Sequence, residues 1–168
     1  MRRQRGHSQR AAKDIEELVN LNSSLGYLFK EAHAVYTTAL RWKLKPYGIT
    51  LAQWYFLREL WQHEGLTQRE LSRRMKISEP TAATALRLME RRGLISRRQN
   101  KKDLRGLHIY LTEKGRSLKK SVLAPVLSLN DEAVRGLSKA GIHELRSSVR
   151  RVINNLNGGK EKPGVANR

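Results

Sequence analysis

Thr81, Ala83, Thr84 and Arg87 lie within seven residues of one another, and together they offer the contacts by which side chains read base edges in duplex DNA. A guanidinium pairs bidentately with guanine, while threonine and alanine methyls touch the thymine methyl. Cations surround them: Arg69, Arg73, Arg74, Lys76, Arg91 and Arg92 are of the type that sits against phosphates. Between Arg69 and Lys120 there are 16 Lys and Arg against 5 Asp and Glu, so roughly a third of the 168 residues carries more than half of the net charge of +19. Solubility alone asks for no such concentration, whereas a bound polyanion does.

Other chemistries find no residues to carry them. The chain has no cysteine, which removes thiol nucleophiles, disulfides and Cys-based zinc sites. His7, His33, His63, His108 and His143 never stand at i, i+4 to one another, so no metal site is expected. There is no P-loop, no Gly-x-Gly-x-x-Gly and no Gly-x-Ser-x-Gly. The sequence therefore predicts neither an enzyme nor a cofactor. No apolar run is long enough to span a membrane. The basic start, Met1 to His7, is followed by no apolar stretch, so no secretory signal is expected. The expected location is the cytosol of a cell, beside a polyanion.

The elements that must position the readers follow from pattern. Leu18, Leu21, Leu25, Leu28, Ala32, Val35 and Ala39 step by three and four, the stripe of an amphipathic helix that should end near Pro46-Tyr47-Gly48. Thr50 to Gln53 fits a capping box, and the helix it opens carries Trp54, Leu57, Leu60 and Trp61. Thr67 to Glu70 is a second capping box, opening a short helix through Leu71 and Met75. Lys76-Ile77 makes a turn. Ser78 is a good N-cap, with Pro80 tolerated in the first turn, and the helix it starts should bury Ala82, Ala85, Leu86 and Met89. Ile95 to Arg98 and Leu107 to Leu111 alternate as two strands of a hairpin, with Gln99 to Gly106 as its loop. On this pattern Leu107 and Ile109 face the core and His108 faces solvent or DNA. Thr112 caps a helix interrupted near Pro125, and a last helix carries Leu145, Val149, Val152, Ile153 and Leu156.

Two short helices around a tight turn, followed by a charged hairpin, form a winged helix-turn-helix. The fold expected is mainly α, with a two-stranded β-hairpin wing and long N- and C-terminal dimerisation helices. The second short helix would enter the major groove with Ser78, Pro80, Thr81, Ala83, Thr84 and Arg87 at or near the bases. Thr67, Gln68 and Arg69 would meet the backbone from the first. In the wing, Arg97, Lys101, Lys102 and Arg105 suit phosphate or a narrow minor groove, with Asp103 bracing the loop. The division expected is a flexible basic arm at 1–12, an N-terminal dimerisation helix at 13–48, the DNA-binding lobe at 49–115, C-terminal dimerisation helices at 116–156, and a disordered tail at 157–168.

The same stretch resembles the MarR family of bacterial transcriptional regulators. The resemblance rests on Leu66-Thr67-Gln68-Arg69-Glu70-Leu71-Ser72, Ser78-Glu79-Pro80-Thr81, Met89 to Arg97, Asp103-Leu104-Arg105 and Leu111-Thr112-Glu113-Lys114-Gly115, in that order. It implies that Arg105 contacts DNA and that Asp103 helps hold the wing. The chain departs from the family pattern at Thr84, where many members carry a basic residue. The resemblance also implies an obligate homodimer. The stripes containing Leu18, Leu21 and Leu25 and Leu145, Val149, Val152, Ile153 and Leu156 agree, being longer than one small lobe can cover. It further implies a small-molecule effector in the cleft between dimer helices and DNA-binding lobe. His33, Tyr36, Trp42, Trp54, Tyr55 and Arg58 would suit an aromatic or phenolic acid. Without cysteine, a signal would act by binding rather than by thiol oxidation. The expected activity is sequence-specific binding of double-stranded DNA, with repression relieved by the effector; the alternative is a nonspecific or architectural nucleic-acid-binding protein.

Overall fold

The computed structural model describes residues 24–100 and 103–158. It is mainly helical, with one small antiparallel sheet. In chain order the elements are α1 (Leu25–Leu44), a 3-10 turn (Lys45–Tyr47), α2 (Leu51–Leu60), β1 (Leu66–Thr67), α3 (Gln68–Met75) and α4 (Glu79–Arg91). They continue with β2 (Ile95–Asn100), β3 (Asp103–Leu111), α5 (Glu113–Ala133) and α6 (Lys139–Leu156). The chain divides into two units, one reaching to Leu129 and the other starting at Asn130.

The predicted starts and stops are present. Thr50 accepts from the Gln53 amide at 3.2 Å while Gln53 Oε1 accepts from the Thr50 amide at 3.1 Å. Gly48, at φ +63°, turns the chain after the 3-10 turn, a conformation that only glycine adopts without a Cβ penalty. Beneath these caps, Leu40, Leu44, Trp54, Phe56, Leu57, Leu60, Leu71, Leu86 and Met89 form a single core with Leu94, Ile95, Ile109, Leu111, Val122 and Val126. The α1 stripe read from the sequence lies elsewhere. Leu25, Leu28 and Val35 are exposed, and the buried face of α1 is Thr37, Leu40 and Leu44. Leu18 and Leu21 lie outside the described residues. On α6, whose N-cap is Ser138, no residue is buried; Leu145, Ile153 and Leu156 are exposed, while Val149 and Val152 are half-buried.

The expected hairpin wing is present as β2 and β3, and β1 adds a third strand by pairing with β3 (Leu66 with Ile109, Thr67 with His108), so the sheet has the order β1-β3-β2. Four expectations are corrected. The loop set at Gln99 to Gly106 is shorter, since β2 runs to Asn100 and β3 begins at Asp103. His108 does not face solvent: β3 is the central strand, and His108 sits between Thr67 and Arg98 at 5% exposure with Nδ1 3.1 Å from the Gly106 carbonyl. Leu107, expected inside, is 55% exposed, because the two-residue β1 stops short of it. Finally, Pro125 does not interrupt α5. The carbonyl of Ser121 that it leaves without a helical partner belongs to an exposed residue, where water can take the missing amide's place.

Candidate nucleic-acid interface

The geometry of the helix-turn-helix is set by short side chains at its joints. Thr67 closes the α3 capping box: its amide and hydroxyl both donate to Glu70 Oε2 at 2.8 Å, and its Oγ1 accepts from the Glu70 amide at 3.2 Å. The two Thr67 donors hold the Glu70 carboxyl below its ordinary value; slight burial opposes them, and His108 and Arg74 add minor attraction. Lys76 then takes a left-handed conformation at φ 54°, the only non-glycine residue to do so among the described residues. Its amide and that of Ile77 satisfy the last α3 carbonyls, at Arg73 and Ser72. Ser78 starts α4, accepting from the Thr81 amide at 3.3 Å. This places an uncovered, partially positive helix end outward.

Ala82, Leu86 and Met89 are completely buried, at i, i+4 and i+7. That fixes the opposite face as the exposed one: Pro80, Thr81, Thr84 and Arg87 are exposed, and Ala83 is half-buried. The polar groups on this face form a ladder. Ser78 and Thr81 hydroxyls lie 2.7 Å apart, Thr84 Oγ1 donates to the Pro80 carbonyl at 3.1 Å, and Arg87 Nη2 donates to Thr84 Oγ1 at 3.3 Å. Arg87 thus lies over Thr84. Leu88, which the sequence reading passed over, is 40% exposed and continues the row of Thr81 and Thr84. Its i+4 spacing from Thr84 was the signal that could have found it.

The surrounding cations differ in how far they are exposed and engaged. Arg69, Arg73, Lys76 and Arg91 are exposed, with Arg69 Nε 3.8 Å from Glu79. Arg74 is paired with Glu59 at 2.7 Å. Arg92, expected near phosphate, is half-buried and donates to Gln53. Arg97 shares the core-facing side of β2 with Ile95 and pairs across the sheet with Ile109. Its Nε lies 3.1 Å from Glu90, while the Nε and Nη2 atoms are buried without a hydrogen-bond partner. It lines a groove of about 420 Å³ with Thr67, Gln68, Arg69 and Leu107. On the other sheet face Arg98 stacks over the Tyr110 ring at 4.0 Å. Lys101 and Lys102 lie outside the described residues, as do the side chains of Asp103 and Arg105.

The residues expected to hold an effector do not converge on one pocket. Tyr36, Tyr55 and Arg58 interact electrostatically: burial raises the Tyr36 phenol, Arg58 opposes this and Tyr55 adds to it. Tyr55 and Arg58 line a cavity of about 470 Å³ with Met75 and Ile77. Trp42 is 67% exposed and lines a different cavity of about 710 Å³ with Arg41, Lys45, Gly48, Thr50 and Leu51. Lys45 Nζ lies 5.1 Å over the Trp42 ring. Trp54 belongs to the core at 2% exposure, edge-on to Trp61, because it falls on the apolar stripe of α2. His33 is an exposed residue of α1 that lines neither cavity. Among the described residues no group of His, Asp and Glu could hold a metal ion. None of the described helices is long and apolar enough to cross a membrane.

The sequence pattern of the MarR family matches residues 49–107. Over 129 residues the chain is 31% identical to the organic hydroperoxide resistance transcriptional regulator of Bacillus subtilis, covering 76% of this chain and 84% of that one. It is 32% identical over 100 residues to the HTH-type transcriptional regulator TtmR of Methylorubrum extorquens, a match covering 60% of this chain and about half, 51%, of that relative. The crystal structure of the Mycobacterium tuberculosis MarR family protein Rv2887 in complex with DNA superposes with a TM-score of 0.64 at 29% identity, covering 76% of this chain and 96% of that one. The same protein has been solved with salicylic acid.

Proposed function

This chain belongs to the MarR family of DNA-binding transcriptional regulators, and from that premise we propose that it is a homodimeric repressor released from its operator by a small aromatic acid. The observation that carries the reading is the outward row of Thr81, Thr84 and Arg87 on α4, opposite a fully buried Ala82, Leu86 and Met89. A helix so oriented offers base-reading groups to the major groove while its neighbours Arg69, Arg73 and Arg91 approach phosphates. Two such helices in a dimer would read half-sites about one helical turn apart. Gln68, Ser78, Pro80 and Ala83 complete the contact set on the helices, with Arg97, Lys101, Lys102, Asp103 and Arg105 on the wing.

Dimerisation is supported by the apolar residues left uncovered on α1 and α6, Leu25, Leu145, Ile153 and Leu156 among them. Exposed stripes of this length mark interfaces. In the domain division this gives the dimer helices to 13–48 and 116–156 and the DNA-binding lobe to 49–115. The cavity at Trp42 supports the effector: Arg41 and Lys45 supply positive charge, the indole a flat face, and no carboxylate is among its lining residues. By contrast the cavity at Tyr55 includes Glu59 beside Arg58, which suits an anion less well. Action on DNA places the protein in the cytoplasm, on the nucleoid.

A fluorescence-anisotropy titration on duplexes from the DNA upstream of its own gene, against scrambled duplex at about 150 mM salt, tests the reading. A specific-to-random ratio of at least about a thousandfold is expected. The net charge of +19 keeps a second reading in play, an architectural protein. A ratio near unity on every duplex from a random-sequence selection would establish that one instead.

A further inference from the structure

We propose that Gln53 and Arg92 act as a pair that sets the angle of α4, making Arg92 a positioning residue for base readout rather than a phosphate contact. The inference rests on α4 being the DNA-reading helix. Gln53 stands on α2 at 1% exposure. Its Oε1 accepts two hydrogen bonds, one from its own N-cap amide at Thr50 and one from Arg92 Nη1 at 2.6 Å. Arg92 is the C-cap of α4, its amide directed at the Leu88 and Glu90 carbonyls and its own carbonyl accepting from Lys114 Nζ at 2.9 Å. The guanidinium is enclosed on a further side by the turn before α2. A Cβ built on Gly48 would stand 3.1 Å from Arg92 Nη2. The C-terminal end of α4 is thus tied to the N-terminus of α2, 39 residues earlier in the chain.

The rest of α4's seat is an apolar face, with ion pairs at its edges from Glu79 to Arg69 and from Glu90 to Arg97. Close packing of Ala82, Leu86 and Met89 holds the helix on the core, but the apolar attraction itself is non-directional. The charge-assisted bond at Arg92 is directional. From Arg91 to Glu79 the helix is about 18 Å long, so a swivel of about 10° about its C-terminal end moves the other end by about 3 Å. That exceeds the distance range over which a hydrogen bond to a base survives. Thr81 and Thr84, nearest the moving end, lose register first. Within the amide of Gln53 the oxygen carries both bonds, while Nε2 is buried with no hydrogen-bond partner. The position therefore uses an acceptor, which a carboxylate would also supply.

The test begins with a random-sequence selection on the full chain. Failure to enrich any sequence would overturn the DNA-reading role of α4 itself, and is distinct from failure of the present proposal. On the selected duplex, Gln53→Leu and Arg92→Met are expected to lower the ratio of specific to random-duplex affinity at least tenfold. Affinity for random duplex and the slope of log K against log[salt] stay as in the unaltered protein, because no phosphate contact is lost. Gln53→Glu, which keeps the acceptor, retains the ratio. A merely structural role would lower the melting temperature and leave the ratio unmoved among the molecules that fold. The proposal is overturned by an unchanged ratio in Arg92→Met, by loss of the ratio in Gln53→Glu, or by a salt slope reduced by about 0.9 in Arg92→Met, the mark of one lost phosphate contact. Should Gln53→Leu not fold, the Arg92→Met and Gln53→Glu pair still decides the matter.

Discussion

The indole Nε1 of Trp61 donates to the carbonyl of Gly115 at 3.0 Å, joining the end of α2 to the first turn of α5. Gly115 is buried, and a Cβ there would be driven into the Leu94 carbonyl. A backbone oxygen cannot yield as a side-chain tip can. Gly115→Ala should therefore lower stability by about 2–3 kcal/mol, in the range for overpacking. Trp61→Phe, which removes only the indole donor and some contact area, should lower it by about 1 kcal/mol. Urea unfolding checks both. A neutral Gly115→Ala would show that α5 can shift away from Leu94.

The capping box at Thr67 predicts a pH dependence. Glu70 is held below its ordinary value of 4.5 by the Thr67 amide and hydroxyl. A depressed carboxyl binds protons less readily when folded than when unfolded, so its contribution is complete above the unfolded value and lost as pH falls through the folded one. Unfolding at neutral pH and again below pH about 4 should show the unaltered protein losing more stability on acidification than Glu70→Gln does. Thr67→Ala should cost about 1 kcal/mol at neutral pH, as loss of an N-cap does.

Arg87→Ala removes a guanidinium held at 3.3 Å over Thr84. It should weaken binding to the preferred duplex by about 1–3 kcal/mol and relax the choice of base at one position. Comparing binding to duplexes permuted at each position checks this, and a uniform loss across all of them would assign Arg87 to phosphate instead.

Ile153 is 50% exposed in the last turn of an α6 that buries none of its residues. Ile153→Glu places a charge where a second copy would seat its apolar stripe, and should shift the protein from dimer to monomer in sedimentation. Far-UV dichroism should change little, since glutamate is a good helix former.

What the sequence made legible was local. Both capping boxes, the Ser78 cap and the buried face of α4 depend on residues three to seven apart, and they stand where pattern placed them, save that Ala85 is half-buried beside the fully buried Ala82, Leu86 and Met89. Contacts between distant segments escaped. β1 is two residues long and pairs with residues more than forty positions later, so no periodicity announces it; yet that pairing makes β3 central and buries His108. Likewise Gln53 reads as half of a capping box, which it is, and nothing in its neighbourhood reveals that the same oxygen reaches Arg92. The candidate readers on α4 were legible because a helix with one buried face leaves little choice for the other. The effector residues were not, because aromatic residues on α1 and α2 serve core and cavity alike, and only packing separates Trp54 from Trp42.

The distribution of the three tryptophans has an optical consequence. Trp54 and Trp61 stand edge-on with ring centroids 5.7 Å apart and planes at 72°, close enough for their strong far-ultraviolet transitions to couple and give a dichroic couplet that vanishes when the core loosens. Trp42, in water beside Lys45, contributes red-shifted emission instead. One unlabelled protein thus carries two separate reporters, a chiral one for the integrity of the lobe and a fluorescent one for whatever enters the cavity at the end of α1.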